Sequence, residues 1–250
     1  GYDPAFAQRC FDQIKGFGEY GFPESHACSF AHLVYLSAWV KCLYPEVFAA
    51  SLLNSQPMGF YAPAQIVRDA VEHGVEVRHP DINASDWDCS LERRRKGRRR
   101  ALRLGLRSID GFRRDWAERI MLVRGEVPFN DLEDLRLRAK LPPAALDRLA
   151  EADAFGSLKL SRRQGMWAAK GAPPASSAPL FEAMGLDEAD GRPPEALPKL
   201  TAGEEVVGDY QTIRLSLKGH PVAFLRERLA QAGAMTALDY QAARENRRVA

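Results

Sequence analysis

Apolar positions in the first third of the chain recur at helical spacing. Phe6, Cys10, Ile14 and Phe17 fall on one stripe and predict an amphipathic helix over 4–16, broken by Gly16, Gly18 and Gly21. From about Ser25 to Leu43 the apolar residues are almost continuous, which predicts a buried core helix with His32 inside it. Pro45 suits the first turn of a third helix through Leu53. Ile66, Val67, Ala70 and Val71 predict an amphipathic helix over 63–73, with Gly74 as its stop. The period then changes. "VEVRHPDIN" reads as a short strand entering a loop, and "DWDCSLE" and "ALRLGLRSI" as strands flanking the tip "RRRKGRRR".

Helical spacing returns in short pieces at 113–124, 130–139, 143–152 and 157–170, then near 204–214 and 221–232. Two of these stretches, 109–124 and 138–152, read as helical hairpins in tandem. The segment "KGAPPASSAPLFEAMGLDEADGRPPEALPKL" between them and the later helices reads as a linker. "ENRRVA" looks like the opening of a further strand. The expected fold class is mainly α with a few short strands.

Composition narrows the picture modestly. With 250 residues, 46% of them apolar, the chain can bury a real core. The most apolar run, Ala27 to Val40, is shorter than the about 20 residues a membrane span needs. Net charge is only +2, but it is unevenly spread. Leu91 to Arg124 holds thirteen Arg/Lys against four Asp/Glu, a local +9 that leaves −7 for the remainder. A basic island in an otherwise acidic chain suggests a polyanion contact. Cys10, Cys28, Cys42 and Cys89 form no C-x-x-C pair and read as reduced, buried thiols of a cytoplasmic protein.

Candidate chemistry is concentrated in two places. In "YGFPESHACSFA" Ser25 is placed to cap the long apolar helix, and a helix N-terminus offers open N–H groups to an anion. His26 beside it adds a donor, although from spacing alone capping and local packing are the better explanation of both residues. The second place is "LGLRSIDGFRRDWAERI". An apolar-x-Gly-apolar turn at Ile109-Asp110-Gly111-Phe112, with Ala117 and Ile120 at packing positions, has the form of a helix-hairpin-helix, and an ordinary helical hairpin fits the same residues equally well. Gly111 and Phe112 would bring backbone to a DNA phosphate, and Arg113 stands where a second glycine is usual, so Arg113 and Arg114 would supply side-chain contacts. The later "RAKLPPAALDRLAEADAF" lacks the glycine signature and reads as structural.

Other features carry less. Asp86-Trp87-Asp88 has the form of a paired-carboxylate metal site, but it is not read as catalytic. His26, His32, His73, His79 and His220 lack metal-ligand spacing. The Arg93–Arg100 tip is as consistent with a solvated loop as with a nucleic-acid contact.

"FDQIKGFGEYGFPESHACSFAHLVYLSAWVKCLYPEVFAASLLNSQP" resembles the fingers region of the bacterial C-family DNA polymerases. Tyr20, Gly21, Phe22, Ser25, His26, Phe30, Ala31, Lys41, Tyr44, Pro45, Phe48, Ala50, Leu52 and Leu53 carry the match. The wording "INASDWDC" and the Phe-Pro-Glu-Ser-His spelling resemble the error-prone, damage-tolerance branch. The resemblance implies that Ser25 and His26 face the triphosphate of the incoming nucleotide. It implies an internal piece of a polymerase: the end of the fingers over 1–80, a strand-containing connection over 81–108 and a tandem hairpin module over 109–170. A linker over 171–203 and a helical segment leading to an OB-like domain over 204–250 would follow. The intact enzyme would use Mg2+ on palm aspartates outside this sequence, so this piece has no catalytic or metal residue and no activity alone. Implied partners are primer-template DNA and deoxynucleoside triphosphates, with a sliding clamp and other damage-tolerance proteins as candidates. The alternatives are a high-fidelity replicative polymerase of the same family and a non-catalytic DNA-binding module.

Overall fold

The computed structural model describes residues 3–19, 24–94, 97, 99–125, 127–171 and 197–241. Four helices open the chain: α1 (Pro4–Glu19), α2 (Glu24–Leu43), α3 (Pro45–Asn54) and α4 (Pro63–Glu72). Pro45 occupies the first turn of α3, where its missing N–H has no intrahelical role. Strands β1 (Val77–Arg78), β2 (Ser90–Glu92) and β3 (Ala101–Arg103) form a small sheet in the order β1-β3-β2. β3 runs parallel to β1 (Val77 opposite Leu102) and antiparallel to β2 (Leu91 opposite Leu102). A single turn over Leu106–Ser108 leads to α5 (Arg114–Arg124), followed by α6 (Leu132–Ala139), α7 (Pro143–Glu151) and α8 (Arg162–Gly171). After 172–196, which lie outside the described residues, come α9 (Ala202–Thr212), α10 (Arg226–Gln231) and α11 (Ala237–Gln241). The mainly α fold with a few short strands is as expected.

One buried cluster runs from Ala49 on α3 through Leu102 and Leu104, into Ile120, Leu135 and Leu149, and on to Leu215. The sheet and the hairpin helices therefore share a core. The loop between β1 and β2 joins the two halves through Asp81 and Ser85. The Asp81 carboxylate accepts from the N–H groups of Asn83 and Ser157, both at 2.8 Å, and Ser85 Oγ donates to Leu104 O at 2.7 Å. Across the sheet Glu92 accepts from Arg103 at 2.6 Å and also pairs with Arg78. Burial would raise the Glu92 carboxyl, but bonds from Arg103 and Arg78 outweigh it and hold it below its ordinary value.

Several expectations are corrected. α1 continues through Gly16 and Gly18 to Glu19, because glycine weakens a helix by about 1 kcal/mol without ending it. α2 is not a core helix. It packs on α3 at its end, but Phe30, Leu33, Val34, Tyr35, Leu36 and Trp39 are exposed, and His32 with them. Nothing among the described residues covers this helix. Of the four cysteines only Cys89 is buried; Cys10 is half-buried, and Cys28 and Cys42 are exposed. The helix expected over 157–170 is a short turn at Gly156–Leu158 followed by α8, separated by Lys159 in a left-handed conformation (φ 60°). "ENRRVA" lies outside the described residues. No helix among the described residues is long and apolar enough to cross a membrane.

The C-terminal helix α9 is fastened through a buried ionic cluster. Asp209 is fully buried and pairs with Arg162 of α8, while Arg162 Nη1 donates to Glu205 O at 2.7 Å. Ser216 Oγ donates to Asp209 at 2.6 Å, and His79 Nε2 stands 3.6 Å away. Burial pushes the Asp209 carboxyl up, but the groups around it (His79, Ser216 and Arg162) prevail and lower it from 3.8 to about 2. A depressed carboxyl stabilises the fold above its unfolded value and loses that stabilisation as pH falls through its folded one. Asp209 is therefore expected to contribute up to about 2 kcal/mol at neutral pH, lost between about pH 4 and pH 2. Asp209→Asn, which leaves Arg162 only Glu205 as a partner, is expected to cost about 3 kcal/mol at pH 7. In urea unfolding across a pH series the gap between the two proteins narrows below pH 4; a constant gap would contradict this account.

Candidate nucleic-acid interface

The hairpin over residues 106–124 is built from the sheet outwards. Gly105 passes so close to the Trp87 and Asp88 backbone that a Cβ there would lie 2.3 Å from Trp87 O. Leu106 and Arg107 donate their N–H groups to Asp86 O and Trp87 O at 2.8 and 3.1 Å, aiming the chain at the turn. Ile109 is buried, and Phe112 N–H returns to Ile109 O at 3.1 Å, closing a four-residue turn. Gly111 occupies its third position at φ 72°, a conformation that costs an L-residue roughly 1–2 kcal/mol. Asp110 N–H is held from behind by Thr212 O at 2.7 Å, and its carboxylate pairs with Arg214 at 2.6 Å.

Beyond the turn Arg113 is extended and α5 begins at Arg114 without a side-chain cap. The first-turn N–H groups of a helix have no partner within it. Here they follow directly on the Gly111 turn. Arg113 pairs with Asp115 at 2.9 Å and lies 5.4 Å from the Trp116 ring; Arg114 pairs with Glu118 at 2.9 Å. The two guanidiniums are 65% and 71% exposed. Pairs this open are worth ~1 kcal/mol or less and exchange readily for a phosphate. The Phe112 side chain is buried, 5.4 Å from Trp116 edge-on, so this residue offers the surface only its backbone.

The second hairpin follows the same backbone course without a glycine. α6 ends at Lys140, left-handed at φ 47°; Leu141 is buried, and Pro142 is extended ahead of α7. Pro142 and Pro143 have no N–H to offer, so a backbone cradle like the first cannot form there. Helix α7 instead sends Arg148 across to the first turn. Its Nε lies 3.5 Å, and its Nη2 3.8 Å, from where a Cβ on Gly111 would stand. Sequence reasoning did not find Arg148 or Arg214, because no local motif marks a side chain that arrives from a distant helix.

Several other described arginines of the basic island are tied into the fold. Arg124 donates to Ile82 O, Ser85 O and Asp86, and Arg107 to Asn54 O, Gln56 O and Asp88. Asp86 and Asp88 are thus each claimed by a different arginine. Arg94 pairs with Glu76, and Arg99 donates to His73 O at 2.7 Å. Among the described residues no group of three His, Cys, Asp or Glu is placed to hold a metal ion.

At the other site, α2 starts at Glu24, one residue ahead of the expected cap, which puts Ser25 in the first turn. The His26 ring is exposed, 4.4 Å from Phe30 and tilted by 52°. The Ser25 side chain and the Tyr20–Pro23 turn lie outside the described residues.

This architecture, a tandem of helical hairpins with a glycine turn on a small sheet, is that of a helix-hairpin-helix module, and the helix-hairpin-helix motif family matches residues 74–165. Along its whole length the chain is related to the error-prone DNA polymerases. It is 55% identical over 249 residues to the Error-prone DNA polymerase of Brucella abortus biovar 1, a match that covers 100% of this chain. It is 54% identical over 244 residues to that of a strain of Rhodopseudomonas palustris, covering 90% of the chain, and 49% identical over 262 residues to that of Sinorhizobium medicae, covering 97%. The chain spans 23%, 22% and 23% of these relatives.

Gly111→Val is expected to lower stability by about 1–2 kcal/mol, since the added side chain must adopt the left-handed turn beside Arg148. Equilibrium unfolding measures this, and an unchanged midpoint would mean that the turn can adopt another conformation.

Proposed function

We propose that this chain is part of an error-prone DNA-directed DNA polymerase, and that within it residues 109–170 bind the duplex backbone. The whole-length relationship to proteins of that name carries the reading. The Gly111 turn, with an uncapped helix start and exposed arginines around it, supports it physically. Such contacts take phosphates without reading bases, as a polymerase that must accept any template requires. Ser25 and His26 belong to the incoming nucleotide's triphosphate, acting by binding and orientation and not by proton transfer. The Mg2+ of nucleotidyl transfer has no fitting donor set among the described residues and is assigned to other parts of the longer protein. Deoxynucleoside triphosphates and primer-template DNA are the substrates in this reading. A sliding clamp is the candidate protein partner, and the cytoplasm the compartment.

Fluorescence anisotropy of a primer-template hairpin against the 250-residue chain tests the DNA contact. Affinity is expected to fall steeply with salt. A variant combining Gly111→Val, Arg113→Ala and Arg114→Ala should bind more weakly and with a shallower salt slope. A folded wild-type chain that ignores DNA at low salt would sink the reading.

For the nucleotide site, His26→Ala in the full-length polymerase is expected to raise the KM for the incoming deoxynucleotide about tenfold or more, the worth of a hydrogen bond to a charged group. Primer-extension kinetics at saturating DNA decide this. An unchanged KM would assign His26 to local packing with Phe30.

A further inference from the structure

We infer that Arg148, carried by the second hairpin's helix, is a phosphate-binding residue of the first hairpin's turn, so that one phosphate is gripped from both hairpins. This rests on the DNA-binding reading above. The guanidinium lies beside Gly111, with Nε 3.5 Å and Nη2 3.8 Å from where a Cβ would stand. Glycine at residue 111 leaves room there for the guanidinium, and the turn leads directly into the start of α5. A phosphate seated on the N–H groups of that helix start meets the Arg148 fork at once.

Three further observations suit this role. Arg148 is half exposed, and among the described residues its one polar partner is Glu151, which takes only Nη1, at 3.3 Å. Nε and Nη2, the two donors nearest Gly111, are left for a ligand. Their fixed fork matches two oxygens of one phosphate. Finally, α7 is held firmly, with Ala145, Leu146, Leu149 and Ala150 all buried in the shared core. Little entropy remains to be lost when the guanidinium engages. Glu151 acts as a positioning residue that keeps Nη1 turned away from the turn.

The acidic groups nearby do not cancel the site. Asp110 is bound to Arg214 and Asp115 to Arg113, which leaves the Arg148 donors to the phosphate. The second hairpin thus supplies a side chain where its own proline pair removes the backbone donors. It contributes to the grip without a glycine turn of its own.

The test is anisotropy of a fluorescein-labelled duplex of mixed sequence with the 250-residue chain across a salt series. Arg148→Ala and the length-preserving Arg148→Gln are compared with wild type and with Arg68→Ala, a remote, exposed control on α4. Loss of one phosphate contact lowers the slope of log affinity against log salt by about 0.9. Both Arg148 variants are expected to show that decrease with roughly five- to tenfold weaker binding at low salt. Arg148→Lys, a point charge without the fork, recovers the slope but not all the affinity. Thermal melting confirms that each variant is folded. Wild-type slope and affinity in folded Arg148→Gln would overturn the inference while leaving the DNA-binding reading in place. A wild-type chain that fails to bind the duplex would overturn both.

Discussion

The fully buried charge of Asp209 sets the position of much else. A carboxylate without water has to be matched, and Arg162, Ser216 and His79 converge on it from three parts of the chain. That requirement seats α9 on α8. Thr212, at the end of α9, then presents its carbonyl to Asp110, and Arg214 its guanidinium. The glycine turn is therefore held from behind by a segment that lies far away in the chain. A tight turn on a surface hairpin would otherwise be among the first places to fray.

The fold class, most helix limits and the strand pair around the basic tip were legible in the sequence, because each depends on local periodicity and on Gly or Pro. Pro45, Gly74 and Gly111 all stand where those rules put them. Burial was less legible. The continuous apolar run of α2 signals a surface that water disfavours, but hydrophobicity alone does not say which partner covers it. Within this chain none of the described elements does so for Phe30 to Trp39. The same limit explains the cysteines, whose exposure follows that of the helices carrying them.

The left-handed residue of the second hairpin was hidden for a different reason. Glycine marks a left-handed residue in sequence, yet Lys140 adopts that conformation at φ 47°, because the packing of α6 and of Leu141 fixes the chain on both sides. Tertiary constraint here does what glycine does in the first hairpin. Arg148 was invisible for a related reason: its relation to Gly111 exists only once α7 is packed. The assignment of Ser25 and His26 to a nucleotide rests on resemblance alone, since a helix start by itself carries no ligand.

The arginines of the basic island divide by exposure, and the division separates architecture from recognition. Arg103 and Arg124 are 15% and 14% exposed and are saturated by carbonyls and carboxylates; removing their partners would leave charges that water reaches poorly. Arg113 and Arg114, joined at the turn by Arg214 from outside the island, are 65%, 71% and 71% exposed, each with a single carboxylate partner. In water such pairs gain little over their separated ions, so a phosphate can replace the carboxylate at small cost. Those carboxylates also have a use before DNA arrives, since they limit repulsion between cations crowded around one turn. A surface that is nearly neutral when free and cationic once its pairs open can keep several arginines together without weakening the fold. Among the described residues, the exposed arginine–carboxylate pairs of the island lie beside Gly111.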